Sequence, residues 1–188
     1  MRNFLKIAEG LDVYPLLHAI QRQPGLWNAD QIRTTFPGTP HEHVDDILIR
    51  FEAVDCAPDA ADLSERLERA ERVWRPAYQR LPEVRPLASF VMARVGAYEL
   101  ARVMVTRLKP GASIAPHADV KGAYANLPDI GRYHLVLQGL PGSVFGAGEE
   151  AVMMRTGELW WFNAHAMHQV VNNSSDDRIH LLIDARLM

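Results

Sequence analysis

From Ala101 onward the chain is a series of short apolar or alternating runs, each cut off by turn chemistry. The runs cover 101–108, 112–119, 132–138, 151–155, 158–163, 167–172 and 178–187. The breaks are Pro110-Gly111, Leu140-Pro141-Gly142, Gly146-Ala147-Gly148, Thr156-Gly157 and the polar stretch Asn172-Asn173-Ser174-Ser175-Asp176-Asp177. Strands this short cannot bury a face alone. They must close on one another, which predicts an antiparallel barrel or sandwich.

The first hundred residues have a different texture and predict helices that pack on one side of that β unit. Asp12 precedes Val13, Leu16, Leu17 and Ile20, a helical spacing that ends before Pro24-Gly25. Ile47-Leu48-Ile49-Arg50-Phe51 reads as a short strand. Asp62, with Glu65 three residues on, opens a second helix through Leu63, Leu67, Ala70 and Trp74 that Pro76 should end. A third follows Pro86 and runs to about Gly96. Trp27 and Trp74 are expected in the core. The cluster His41-Glu42-His43-x-Asp45-Asp46 lies in a Pro-rich segment and reads as a solvated loop.

The chain has 188 residues, with 48% hydrophobic and 23% charged residues, which predicts one globular unit over 1–188: helical support and a substrate wall over 1–100, and the β core over 101–188. Net charge is -3 and no basic run stands out, so no nucleic-acid partner is expected. Nothing in the chain is apolar for long enough to span a membrane. Cys56 is the only cysteine, and the segment Met1-Arg2-Asn3-Phe4-Leu5-Lys6 lacks a leader's apolar run; the expected location is the cytoplasm.

The residues that carry chemistry fall in the β-rich half. His117 and Asp119 are two apart, so on an extended run an imidazole and a carboxylate point into the same space. One more histidine completes a triad that leaves positions open and suits Fe(II). His165 and His168 have opposite parity, so only one should face inward, and His168 is the expected ligand.

Arg178 comes ten residues after His168, beyond the polar turn. If the two runs pair as a hairpin with Asn172 opposite Arg178, His168 and Arg178 share a face roughly 13 Å apart along the strand. A five-carbon diacid at the metal, met by an arginine side chain, spans such a gap, and the guanidinium fork matches a carboxylate. On the last run Ile179, Leu181 and Ile183 should pack outward on helices, while Arg178 and His180 face a pocket. Arg132 and His134 repeat the arrangement on another strand. A second buried cation is costly unless an anion meets it, which predicts an anionic ligand.

Taken together, His117-x-Asp119, Arg132-x-His134, the Trp-Phe-Asn ahead of His168-Gln169-Val170-Val171-Asn172, and Arg178 with Leu181-Leu182-x-Asp184 resemble a known family. It is the Fe(II)- and 2-oxoglutarate-dependent oxygenases of the aspartyl/asparaginyl β-hydroxylase family, to which bacterial proline hydroxylases are also similar. The resemblance covers under half of the chain. It implies a double-stranded β-helix, so that the whole is α+β and mainly β. It implies that His117, Asp119 and His168 bind Fe(II) as the catalytic centre, and that Arg178 holds the 2-oxoglutarate carboxylate with Arg132 and His134 in the pocket. Animal aspartyl hydroxylases of this family lack the acidic ligand that Asp119 supplies here. The same carboxylate argues against halogenation, which needs that position small.

The expected activity is hydroxylation, with O2, of an amino acid, an amino-acid derivative or a peptidyl side chain. The alternatives are a non-oxidative cupin-like protein that binds a metal or a small acid, and a metal-dependent isomerase.

Overall fold

A computed structural model describes residues 2–34, 39–54, 65–67, 69–119 and 129–188. The strands are β1 (Phe4–Ala8), β2 (Val44–Glu52), β3 (Arg72–Trp74), β4 (Ala97–Leu108), β5 (Ser113–His117), β6 (Ile130–Gln138), β7 (Ser143–Ala147), β8 (Glu150–Val152), β9 (Leu159–Phe162), β10 (His168–Asn172) and β11 (Arg178–Leu187). Seven form one sheet in the order β1-β9-β6-β11-β4-β2-β3, and four form a second in the order β5-β10-β7-β8. From β4 onward the chain alternates between the sheets, except that β7 and β8 pair within the small one, and every strand pairing is antiparallel. This is a double-stranded β-helix.

Strand parity sorts the large sheet into two faces. The outward face carries Tyr133, Leu135 and Leu137 on β6, Val103 and Val105 on β4, and Ile179, Leu181 and Ile183 on β11. It packs on helix α1 (Tyr14–Gln21) through Leu16, Leu17 and Ile20. It also packs on helix α2 (Val84–Val95) through Val84, Ala88 and Val91. Each fully buried side chain of this kind contributes roughly 1.5–3 kcal/mol. The helix α2 ends where Gly96 takes the left-handed conformation, φ 69°, that a residue with a Cβ avoids.

The inward face carries polar rows among the apolar ones. Across the sheet, Arg132, Asp184 and Arg102 are partners in one row, His134, Leu182, Met104 and Leu48 in the next, and Val136, His180, Thr106 and Asp46 in a third. These rows face the small sheet and build the site.

Several expectations from sequence are corrected. Beside β2, which contains the strand expected at Ile47 to Phe51, the first hundred residues also supply β1 and β3 to the large sheet. Glu65–Leu67 is helical, whereas the expected helix start at Asp62 lies outside the described residues, as does Cys56. Trp74 is not core: it sits on β3, 45% exposed, and stacks on Tyr78 with ring centroids 4.1 Å apart. Gly146 and Ala147 belong to a strand, β7, where their small side chains had read as a turn.

The β10–β11 hairpin does not form. β10 pairs with β5 and β7, while β11 lies in the other sheet between β4 and β6. Asn172 fastens the crossover instead, donating to the Leu108 carbonyl at 2.8 Å and the Asp176 carbonyl at 2.9 Å. His168 and Arg178 therefore line one cavity from different sheets.

At another crossover, a Cβ on Gly139 would lie 2.4 Å from the Met154 carbonyl oxygen. Backbone cannot move aside cheaply, so Gly139→Ala should cost about 1–3 kcal/mol. The check is a lower urea midpoint at unchanged m-value.

Candidate metal and anion site

The small sheet presents its ligands at one end. His117 closes β5 and is the cross-strand partner of His168, the first residue of β10. Their rings lie 4.2 Å apart, centroid to centroid. Asp119 sits two residues past His117, where its N–H donates to the Ala164 carbonyl at 2.9 Å. His117 Nε2 is 3.8 Å from Asp119 Oδ1, and one ligand atom from each of His117, Asp119 and His168 lies within 4.8 Å of the others. His165 is exposed and outside this group.

Both histidines are held in one tautomer. His117 Nδ1 is 2.8 Å from the Ala115 carbonyl oxygen and His168 Nδ1 is 2.9 Å from that of Ala166. A carbonyl can only accept, so Nδ1 carries the proton and Nε2 keeps a free lone pair for a metal. Burial also lowers the His168 pKa, which favours the neutral, ligating form.

Asp119 is divided between two tasks. Oδ1 faces His117, and Oδ2 accepts from Arg132 Nη1 at 2.5 Å. Burial pushes this carboxyl up, but Arg132 and the two histidines outweigh it and hold the pKa below the usual range. Two imidazoles and an ionised carboxylate fit a divalent transition metal such as Fe(II) with positions to spare.

Arg132 also forks onto Asp184, Nε to Oδ1 at 2.8 Å and Nη2 to Oδ2 at 2.9 Å. The expectation that this cation would need an incoming anion is corrected: two protein carboxylates meet it.

Arg178 is different. It is 4% exposed, its Nη2 has no hydrogen-bond partner, and no carboxylate pairs with it among the described residues. Burial alone pulls its guanidinium down to about 9, so it is charged at neutral pH. His134 lies nearby, its Nδ1 3.2 Å from His180 Nδ1 and its Nε2 unpartnered. Burial first, then Arg178, holds both of these imidazoles well below their ordinary pKa, hence neutral.

One cavity joins these groups. Its empty volume is about 430 Å³, mouth included, and His117, His168, Arg132, His134 and Arg178 all line it. Ile114, Phe145, Phe162 and Val170 supply apolar stretches of the wall. A buried, unpaired guanidinium beside an orphaned imidazole nitrogen fits a carboxylate such as that of 2-oxoglutarate. A larger open depression, with an empty volume of about 1370 Å³ and bordered by Asp30, Arg75 and Arg80, shares no residue with it.

Two lining residues were missed from the sequence. Arg33 reaches the cavity from the N-terminal half and pairs with Asp46 at 2.9 Å. His41 stands with its ring 5.0 Å from that of His117, edge to face. No periodicity marks either one, since both come from irregular chain.

Comparison with known proteins gives relatives, a shared fold and a family. An L-proline cis-3-hydroxylase of Streptomyces is 28% identical over 99 residues, 53% of this chain and 34% of that protein. The chain thus spans about a third of the length of the curated relative it matches. Two solved structures share the fold. The α-ketoglutarate-dependent epimerase SnoN from nogalamycin biosynthesis superposes with a TM-score of 0.58 at 15% identity, over 98% of this chain and 76% of that one. The collagen prolyl hydroxylase of Paramecium bursaria Chlorella virus-1 superposes with 0.53 at 12% identity, over 100% and 97%. The model of the aspartyl/asparaginyl β-hydroxylases matches residues 64–187. That span includes His117, Asp119, Arg132, His134, His168 and Arg178 together, and the chain belongs to the aspartyl/asparaginyl β-hydroxylase family.

Proposed function

We propose that the protein is an Fe(II)- and 2-oxoglutarate-dependent dioxygenase that hydroxylates an amino acid, an amino-acid derivative or a peptidyl amino-acid side chain. The observation that carries this is Arg178: a buried cation with no carboxylate partner among the described residues, in the cavity that His117 and His168 of the metal-ligand cluster also line. A non-oxidative metal site has no use for such a group, and its desolvation is expensive unless an anion arrives.

The residues divide the work. His117 and His168 offer Nε2, and Asp119 offers Oδ1 while Arg132 retains Oδ2. Arg178 and the Nε2 of His134 receive the distal carboxylate of 2-oxoglutarate, whereas Arg132 acts on Asp119. Phe145, Phe162, Ile114 and Val170 keep water from the cavity. When bound, the metal with 2-oxoglutarate and O2 supplies the oxidation: a C–H bond becomes C–OH, and succinate and CO2 leave. Arg33 and His41 stand where a substrate would meet the cavity wall.

The similar Streptomyces protein is named an L-proline cis-3-hydroxylase, so proline heads the substrate panel. No helix of the described residues is long and apolar enough to cross a membrane. We place the enzyme in the cytoplasm on the lone cysteine.

The test is succinate formation from 2-oxoglutarate with Fe(II), O2, ascorbate and a panel of amino acids and peptides. Substrate-stimulated succinate release with a hydroxylated product is the expected result. Absence of both 2-oxoglutarate binding and turnover would falsify the proposal.

A further inference from the structure

A row of alternating charges runs through the large sheet and ends on the metal site. At its outer end Arg72 on β3 lies 3.1 Å, Nε to Oε1, from Glu52 on β2. Glu52 is fully buried and takes a fork from Arg102 on β4, with Arg102 Nε at 2.9 and 2.8 Å from its two oxygens. Arg102 is the cross-strand partner of Asp184 on β11, which is in turn the partner of Arg132 on β6. Arg132 forks onto Asp184 and reaches Asp119. Three cations and three anions thus alternate across five neighbouring strands and finish on the candidate metal carboxylate. Glu52 and Arg102 themselves do not line the cavity.

The geometry points to Glu52 and Arg102 as positioning residues for the metal: with Asp184 they fix Arg132, and through it they orient the Asp119 carboxylate. This rests on the reading of His117, Asp119 and His168 as metal ligands. Asp119 lies beyond the end of β5, so no strand partner locks its side chain. A carboxylate there can turn either oxygen, or both, toward a cation. Arg132 removes that choice by holding Oδ2. It does so only while its own fork is held by Asp184, and Asp184 stands between two guanidiniums. Glu52 gives the second guanidinium, that of Arg102, a carboxylate of its own. Without its charge, Arg102 competes with Arg132 for Asp184, and the hold on Asp119 loosens. Partners of metal ligands typically change affinity by about 10–100-fold when removed. Glu52 acts two links further out, so a smaller effect is expected.

Co(II) serves as the probe, because its visible absorption reports ligand geometry directly. Glu52→Gln should raise the Co(II) dissociation constant roughly three- to tenfold and alter the Co(II) spectrum. The melting curve of the metal-free protein is recorded alongside. Lowered melting with unchanged Co(II) affinity and spectrum means that the row only braces the sheet, and overturns the proposal. If Glu52→Gln does not fold, Arg102→Lys, which keeps the charge but loses the fork, carries the same prediction. Misfolding of both variants likewise assigns the row to stability alone. Wild-type protein that takes up no Co(II) overturns the metal reading itself, whereas uptake that Glu52→Gln leaves untouched overturns the positioning role and spares that reading.

Discussion

Replacing Arg178 by methionine should weaken 2-oxoglutarate binding and strengthen the metal-free fold at the same time. Losing one partner of a buried charge pair costs about 2–5 kcal/mol of binding, or roughly 30- to 5000-fold in dissociation constant. Fold stability should move the opposite way. The guanidinium is 4% exposed with an unsatisfied Nη2, and methionine fills similar space without that unmet donor. Removing it should return on the order of 1–3 kcal/mol, which for a chain of this size raises Tm by roughly 2–4 °C per kcal/mol. Titration calorimetry with 2-oxoglutarate and a thermal melt check the two arms. An arginine engaged in a structural ion pair gives the reverse pattern, a less stable protein with unaltered 2-oxoglutarate affinity. That outcome would remove the main support for a diacid cosubstrate.

His168→Ala should abolish metal binding, and His165→Ala should not. His168 joins the two strands that carry the site, as partner of His117 on β5 and of Ala147 on β7, with Nδ1 committed to the Ala166 carbonyl. Without its Nε2 one imidazole and one carboxylate remain, too few to hold the ion. Affinity should fall by more than the roughly 100-fold that loss of an outer partner costs. Melting with added Mn(II) or Co(II) is a direct readout. A site filled at 100 times its dissociation constant stabilises the native state by about 2.7 kcal/mol. Wild type and His165→Ala should show that shift, and His168→Ala should not. A shift lost in His165→Ala instead would mean that the ligand assignment is wrong.

The parity of residues on extended runs explains why much of the site was legible. His117 and Asp119 two apart, His168 against His165, and the split of Ile179, Leu181 and Ile183 from Arg178, His180 and Asp184 all follow from the period of two in a strand. Parity names the face of a strand, not its neighbour. The hairpin between β10 and β11 was for this reason the natural but wrong pairing: a polar turn between two runs looks the same whether the chain folds back in one sheet or crosses to the other. Arg132 shows the same limit. Its burial was foreseeable, whereas its partner Asp184 lies 52 residues away and becomes one only through the β6–β11 register.

The sequence by itself determined that this chain is β-rich after residue 101, which side chains face inward there, and that two histidines and a carboxylate are available to one metal. Only the tertiary structure decided that His168 and Arg178 line one cavity from different sheets, that Arg132 is already satisfied while Arg178 is not, and that Glu52 and Arg102 join the row leading to Asp119. The reason is physical. Face and turn are local properties, set by backbone dihedrals over a few residues. Whether a buried charge is paired depends on sheet order and register, which long-range packing alone sets.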